Sequence, residues 1–413
     1  MIAVFRQRTV ALLWFGQFLS LLGDWTLFIG LPIFVYSQTG SALATGAMFI
    51  AQTLPYVLFG SVAGVFVDRW DRRWTMVVVD LLRALLLFAL LPAALDAGTW
   101  LWLIYPTAFA ETTLGQFFYP ARSALMPTLV AKKDLLTLNA LMGQTIAVAS
   151  LVGPSIGGII FQTVGMVGVI VFDGITYALS AVAIQALSVY LTAREGTHAA
   201  TVRETPAFFR EWATGINVIV SNKLVYRLFA VMGMITISQG IITVLLVPFV
   251  KENLGNESLA YGWLITAQGV GGILGGVVTS RIVHIALPSR ILAGGAGVAA
   301  LVLFIRNHVD AIGVSVAVTV LFGIAAVCYG SSGQTLFQSM SADAHRGRVL
   351  GVWGSAQSLM TLLGMLIAST LGSYFLAATI LDLAVILLLA ASVLSAAVLD
   401  DNSERRHAEG TSS

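Results

Sequence analysis

Charge is the scarcest resource in this chain. Lys and Arg together number 22 and Asp and Glu 20 among 413 residues, leaving a formal net charge of +2 at pH 7. Hydrophobic residues make up 58%, and mean hydropathy is +0.90. A water-soluble protein of this length needs far more polar surface than that. Cysteine occurs once, as Cys328 inside an apolar run, which excludes a disulfide framework and a cysteine-based metal site. The five histidines are scattered without ligand spacing, so neither a metal nor another cofactor is expected. The small net charge argues against a nucleic-acid partner. GxxxxGK[ST] does not occur, so ATP hydrolysis is not the expected energy source. No nucleophile, metal or cofactor constellation converges either, and the chain does not read as an enzyme.

What is present is a series of apolar runs of 20 or more residues, each able to cross roughly 30 Å of hydrocarbon as a helix. The runs are continuous rather than alternating, which disfavours barrel strands. Gly, Pro and charge punctuate them into twelve predicted spans, at about 10–36, 42–67, 74–95, 100–122, 137–162, 167–191, 226–250, 259–283, 289–305, 311–333, 348–373 and 377–399. The first run carries an Asp and lacks a small-residue cleavage site, so it is expected to remain as an anchor. The expected fold is an all-α membrane protein with two six-helix bundles, residues 1–192 and 226–399. A cytoplasmic middle loop, 193–225, joins them, with an amphipathic surface helix over 206–220, and a tail follows at 400–413.

Basic residues set the orientation. Arg6, Arg8, Arg69, Arg72, Arg73, Arg122, Lys132, Lys133, Arg194, Arg203, Arg210, Lys223, Arg227, Arg281, Arg290, Arg346, Arg348, Arg405 and Arg406 fall on one side of a twelve-span layout, against Lys251 and Arg306 on the other. Both termini are therefore expected in the cytoplasm, and the protein in the plasma (inner) membrane. At an offset of 211, Gly60, Gly64, Gly143 and Gly153 match Gly271, Gly275, Gly354 and Gly364. Related halves of six spans each form a transporter architecture with its site at the midplane.

The stretch GVFVDRWDRR, residues 64–73, spends five charges in ten residues at the expected inner end of the second span. It resembles the major facilitator superfamily loop signature, roughly G-x-x-x-D-R-x-G-R-R/K, through Gly64, Asp68, Arg69, Arg72 and Arg73. Asp71 stands where the general pattern has Gly, a form similar to the macrolide-efflux and siderophore-export branch, which DLLRA (Asp80 and Arg83) also suits. The resemblance implies a conformational latch. Asp68 would meet the N-terminal end of the eleventh span near RGRVLG, 346–351, where the helix dipole favours a carboxylate. Arg72 would hold Asp68, while Asp80 and Arg83 would pair with each other or join the latch.

A second stretch, AVASLVGPSIGG (147–158), resembles the superfamily's G-P-x-x-G-G element of proton-exchanging exporters, through Gly153, Pro154, Gly157 and Gly158, with Ala149 replacing an upstream Gly. Pro154 removes a backbone donor and bends the helix, and the glycines permit close packing.

An ionisable group at mid-bilayer is a functional candidate by default. Asp24 and Glu111 lie near the centres of the first and fourth spans, which line the cavity in the resembled fold. A desolvated carboxyl holds its proton more tightly, so both are candidates for proton coupling. Asp173 and Asp382 are expected to be satisfied interfacial acids on peripheral spans. Gln17, Gln52, Gln116, Gln144, Gln239, Gln268 and Gln357 are candidates to line a wet cavity with Phe, Trp and Met, a lining suited to bulky amphiphiles. The sequence thus implies a monomeric, bilayer-embedded transporter that exports a drug- or macrolide-like small molecule in exchange for protons. A siderophore or metabolite exporter, or an uptake symporter, is the alternative.

Overall fold

The computed structural model describes residues 8–60, 63–130, 134–187, 219, 221–255, 257–340 and 343–410, and every regular element among them is helical. The principal helices are α1 (Arg8–Thr39), α2 (Ala42–Phe59), α3 (Arg72–Phe88), α4 (Ile104–Leu129) and α5 (Leu135–Ala186). They are followed by α6 (Lys223–Phe249), α7 (Glu257–Ile282), α8 (Pro288–Asn307), α9 (Ile312–Met340), α10 (Asp343–Leu371) and α11 (Ala377–Gly410). Ten of the described helical segments are long and apolar enough to cross a membrane. The expected surface helix over 206–220, apart from Ile219, lies outside the described residues, as do Arg6, Lys132, Lys133, Arg194, Arg203 and Arg210.

Several boundaries differ from the sequence reading, α11 among them, which continues to Gly410 through the expected tail, and two differ for identifiable reasons. α4 runs on past 122 to Leu129, through Pro120 and Pro127. A proline bends a helix and removes one donor without having to end it when neighbours satisfy the freed carbonyl. Arg122 is therefore a helical residue rather than a loop anchor. The 52-residue α5 contains one break, Gly165, at φ 73° and ψ −163°. Only glycine adopts that backbone without strain, so the turn between the expected fifth and sixth spans has shrunk to a single residue.

The described chain forms two compact units. The first contains α1, most of α2, α3 to α5 and Glu257–Thr266 at the start of α7; the second contains Ser41–Gly46, the rest of α7, α6 and α8 to α11. In the first, α1 packs along α5, and α3 lies against α4 and α5. In the second, α8 packs on α9 and α11, and α6 on α10 and α11.

Lipid tails are as apolar as leucine, so helices here associate by close fit and not by escape from water. The α6–α10 crossing illustrates the fit. A Cβ on Gly240 would stand 2.3 Å from the Thr361 carbonyl oxygen, and one on Gly364 2.2 Å from that of Ile237. Gly364→Val is expected to lower stability by about 1–3 kcal/mol, read as a lower melting temperature of the purified protein. Gly354→Ala, on the same helix but facing open space, leaves the melting temperature unchanged.

Candidate functional site

The charged burst at 64–73 folds as a tight inter-helix turn. A short helix, Ala63–Val67, ends where Asp68 N–H donates to the Gly64 carbonyl at 3.0 Å. Asp71 then caps α3, its carboxylate accepting from Trp74 N–H at 2.7 Å. An N-cap carboxylate satisfies a donor that the helix leaves open, which gives the residue departing from the general signature a local task. Arg72 donates to the Ala124 carbonyl on α4 at 3.1 Å, tying the turn to its own unit, and the Arg73 guanidinium lies 5.6 Å from the Trp74 ring centre. Asp68 and Arg69 are exposed, and a Cβ on Gly64 would meet open space. The side chains of 343–348, where the expected partner of Asp68 begins, lie outside the described residues.

The fifth-span element sits between two neighbours within the first unit. A Cβ on Gly153 would be 2.5 Å from Trp25 Cβ, and one on Gly157 2.9 Å from Thr26 Cα, so both glycines admit α1. On another side, Gly262 of α7 comes so near the Pro154 carbonyl that an added Cβ would lie 2.8 Å from it. The Ser155 and Thr266 hydroxyls bond at 2.8 Å beside this contact.

Asp24 and Glu111 come together, and the group that joins them is Tyr177. The Tyr177 hydroxyl lies within hydrogen-bond distance of Glu111 Oε1, at 2.8 Å, and of Asp24 Oδ1. Arg83 pairs with Glu111 at 2.6 Å, contacts the Glu111 carbonyl at 3.3 Å and lies 4.8 Å from the Tyr177 ring centre. Of the two arrangements open to Arg83 from sequence, the structure adopts neither: its partner is the fourth-span acid. Gly115, one turn beyond Glu111, makes room, since a Cβ there would stand 2.8 Å from Arg83 Nη2. Tyr177, Arg83 and Glu111 are buried and Asp24 is partly exposed. Four helices, α1, α3, α4 and α5, thus meet in one charged network.

Asp173 is a correction. Expected as a shallow interfacial acid, it is fully buried, and a Cβ on Gly23, the residue before Asp24, would lie 2.1 Å from its Oδ1. It sits one turn before Tyr177 on the same face of α5, which carries it to α1. Its Oδ1 meets the Thr176 hydroxyl at 3.2 Å, while Oδ2 has no partner among the described residues. Asp80 is also fully buried, with neither oxygen hydrogen-bonded among the described residues. Asp382 has partners, accepting from Asn307 Nδ2 at 3.1 Å and facing His308 Nε2 at 3.4 Å.

The glutamines divide. Gln17 is buried and accepts from Arg122 Nη1 at 3.1 Å, and Gln116 is buried with Nε2 3.4 Å from the Thr112 carbonyl. Gln239 donates to the Tyr329 hydroxyl. Gln52 and Gln268 are half-buried, whereas Gln144 and Gln357 are exposed.

Similarity to known proteins runs the length of the chain. Macrolide efflux protein A of Streptococcus pyogenes is 22% identical over 360 residues, covering 86% of this chain and 87% of that one. The multidrug efflux pump Tap of Mycolicibacterium fortuitum is 27% identical over 379 residues, covering 89% and 90%. Among solved structures, a bacterial homologue of the iron transporter ferroportin in its inward-facing state superposes with a TM-score of 0.71 at 18% identity, over 94% of this chain and 98% of that one. The family model described as transmembrane secretion effector matches residues 1–409. With an all-helical fold, apolar spans and both loop and helix signatures in place, the chain belongs to the transmembrane secretion effectors of the major facilitator superfamily, and is a multi-pass membrane protein.

Proposed function

We propose that the protein is a proton-coupled secondary transporter that exports hydrophobic or amphiphilic, drug- or macrolide-like small molecules by alternating access. Relatives named for macrolide and multidrug efflux, matching across most of both chains, support the direction and the substrate class. Counting α4 as a span and dividing α5 at Gly165 turns the ten apolar segments into twelve, in keeping with two bundles of six. The basic bias supports a plasma-membrane orientation with both termini in the cytoplasm, and the transporter is taken to act as a monomer.

The observation that carries the coupling is the shared hydroxyl. Tyr177 has one hydrogen to donate, yet two carboxyl oxygens lie within its reach. A phenol satisfies both only when one of the acids is itself a donor. Glu111, held by Arg83, is the ionised partner, so Asp24 carries the proton and donates it to the Tyr177 oxygen. When Asp24 gives that proton up, a second negative charge appears beside Tyr177 with Arg83 already engaged. In a low-dielectric site that repulsion is large, and it favours a different packing of α1 against α5. Partly exposed, Asp24 can exchange its proton with water in the cavity. Gly153 and Gly157 give α1 a close, side-chain-free face of α5 along which to shift, and the turn at Gly64–Arg73 acts as the latch, with Asp68 engaging the N-terminal end of the eleventh span in the outward-facing state.

Asp24→Asn and Glu111→Gln are each expected to abolish efflux driven by a pH gradient at unchanged protein level, measured as dye accumulation with and without a protonophore. Full efflux in both single variants would remove the coupling role. Tyr177→Phe loses both hydrogen bonds of the bridge and is expected to slow efflux at least about tenfold. The charge assignment has a separate readout in unfolding of the purified protein. Arg83→Met strands an ionised Glu111 and is expected to lower stability by about 3–5 kcal/mol, and adding Glu111→Gln restores most of it. A double variant no more stable than Arg83→Met would mean that Glu111 is neutral.

A further inference from the structure

We propose that the second unit holds an anionic phospholipid in a groove between α7, α8 and α9, one acyl chain filling the groove and the phosphate meeting Arg290. The groove has a volume of about 320 Å³, the lower end of the range typical of small-ligand sites. Its walls are Val278 and Ile282 of α7, Ile291 and Val298 of α8, and Leu321 and Ile324 of α9. Arg290, in the first turn of α8, is the only charged group in the lining.

Glycine creates the space. A Cβ on Gly295 would press to 3.1 Å from Tyr329 N, so this residue sets the close approach of α8 to α9. Its neighbour Gly294 also lines the groove, and a Cβ there would meet nothing within 4 Å. The pair therefore draws two helices together and leaves a channel beside the crossing.

The charge at the mouth selects the occupant. Arg281 in the last turn of α7, His284 in the connection and Arg290 are all exposed, and no Asp or Glu occurs between Glu257 and Asp310. Val283 and Ile285 flank His284 at 48% and 84% exposure, the alternation of a segment lying where lipid headgroups meet acyl chains. Basic pockets between spans, opening on the side rich in Lys and Arg, suit anionic headgroups. A guanidinium has five donors and meets a phosphate through two of them, which leaves the others for contacts within the protein. A free phosphate has no use for the apolar channel, and an uncharged amphiphile has none for the basic rim; a phospholipid uses both.

The test takes the full chain purified in neutral detergent and two probes, phosphatidylglycerol and phosphatidylcholine, each with a photoreactive diazirine midway along one acyl chain. Crosslinks are mapped by peptide mass spectrometry. Phosphatidylglycerol is expected to label α8 and α9 at the groove about fivefold more than phosphatidylcholine, the discrimination one basic residue supplies. Arg290→Gln, at an exposed position, is expected to erase that preference, and Gly294→Phe to bring both probes to background. Excess inorganic phosphate leaves the labelling unchanged. Equal labelling by the two lipids overturns the headgroup assignment, as does competition by phosphate alone. Crosslinks only outside the groove, or undiminished crosslinks in Gly294→Phe that elutes like the wild type, overturn the site. None of these outcomes depends on whether the protein exports its substrate with protons.

Discussion

The Arg83–Glu111 ion pair is the constraint around which the first unit is arranged. Neither charge is tolerable in an apolar interior alone, and the pair is tolerable only while its remaining donors and acceptors are met. Arg83 therefore also takes the Glu111 carbonyl and the face of Tyr177, and Tyr177 passes the connection on to Asp24. Each added member lies on another helix. Relative to hydrophobic packing, which accepts many registers, a hydrogen-bonded network accepts few. Scarce charge thus fixes the mutual register of α1, α3, α4 and α5, and that register places an ionisable group in the middle of the helix pair with the most extensive contact in the unit.

Glycine does the complementary work. Helix pairs held by networks need backbones near enough for short side chains to meet, and those without networks have only close packing to hold them. Gly23 admits Asp173, Gly115 admits Arg83, and Gly153 with Gly157 admits α1. In the second unit Gly240 and Gly364 perform the same service for carbonyl groups. The residues that make the sequence look monotonous are the ones that let its rare polar groups touch.

Length and hydropathy made the spans readable because a membrane-crossing helix must hide its own backbone, and only a long apolar run does so. The blurred edges came where this rule is weakest. Gly165 turns the chain within one residue, and α4, diluted by Glu111, Gln116 and five Ser and Thr hydroxyls, continues through two prolines. Asp24 and Glu111 were legible as costly charges, but their partners were not. Tyr177 stands 153 residues from Asp24 and 66 from Glu111, and no local spacing reports such a contact. Its one sequence signal is its place a single helical turn after Asp173, an acid expected at the interface. Arg83 was expected to pair with Asp80, one helical turn away, or to join the latch, whereas the folded arrangement sends it across to Glu111 of α4.

The two units differ in the partners they give a buried tyrosine. In the first, a tyrosine of the last span is shared by two acids and an arginine; in the second, Tyr329 is met by Gln239, a neutral amide. A neutral pair has the same geometry whatever the proton concentration. The charged network changes its count of donors whenever one proton leaves. On the proposed mechanism this divides the labour, with the proton acting on α1 and α5 and the bulky ligand meeting glutamine, tyrosine and apolar side chains. On the same proposal the economy of charge follows, because one half that responds to protons suffices to drive the change of facing.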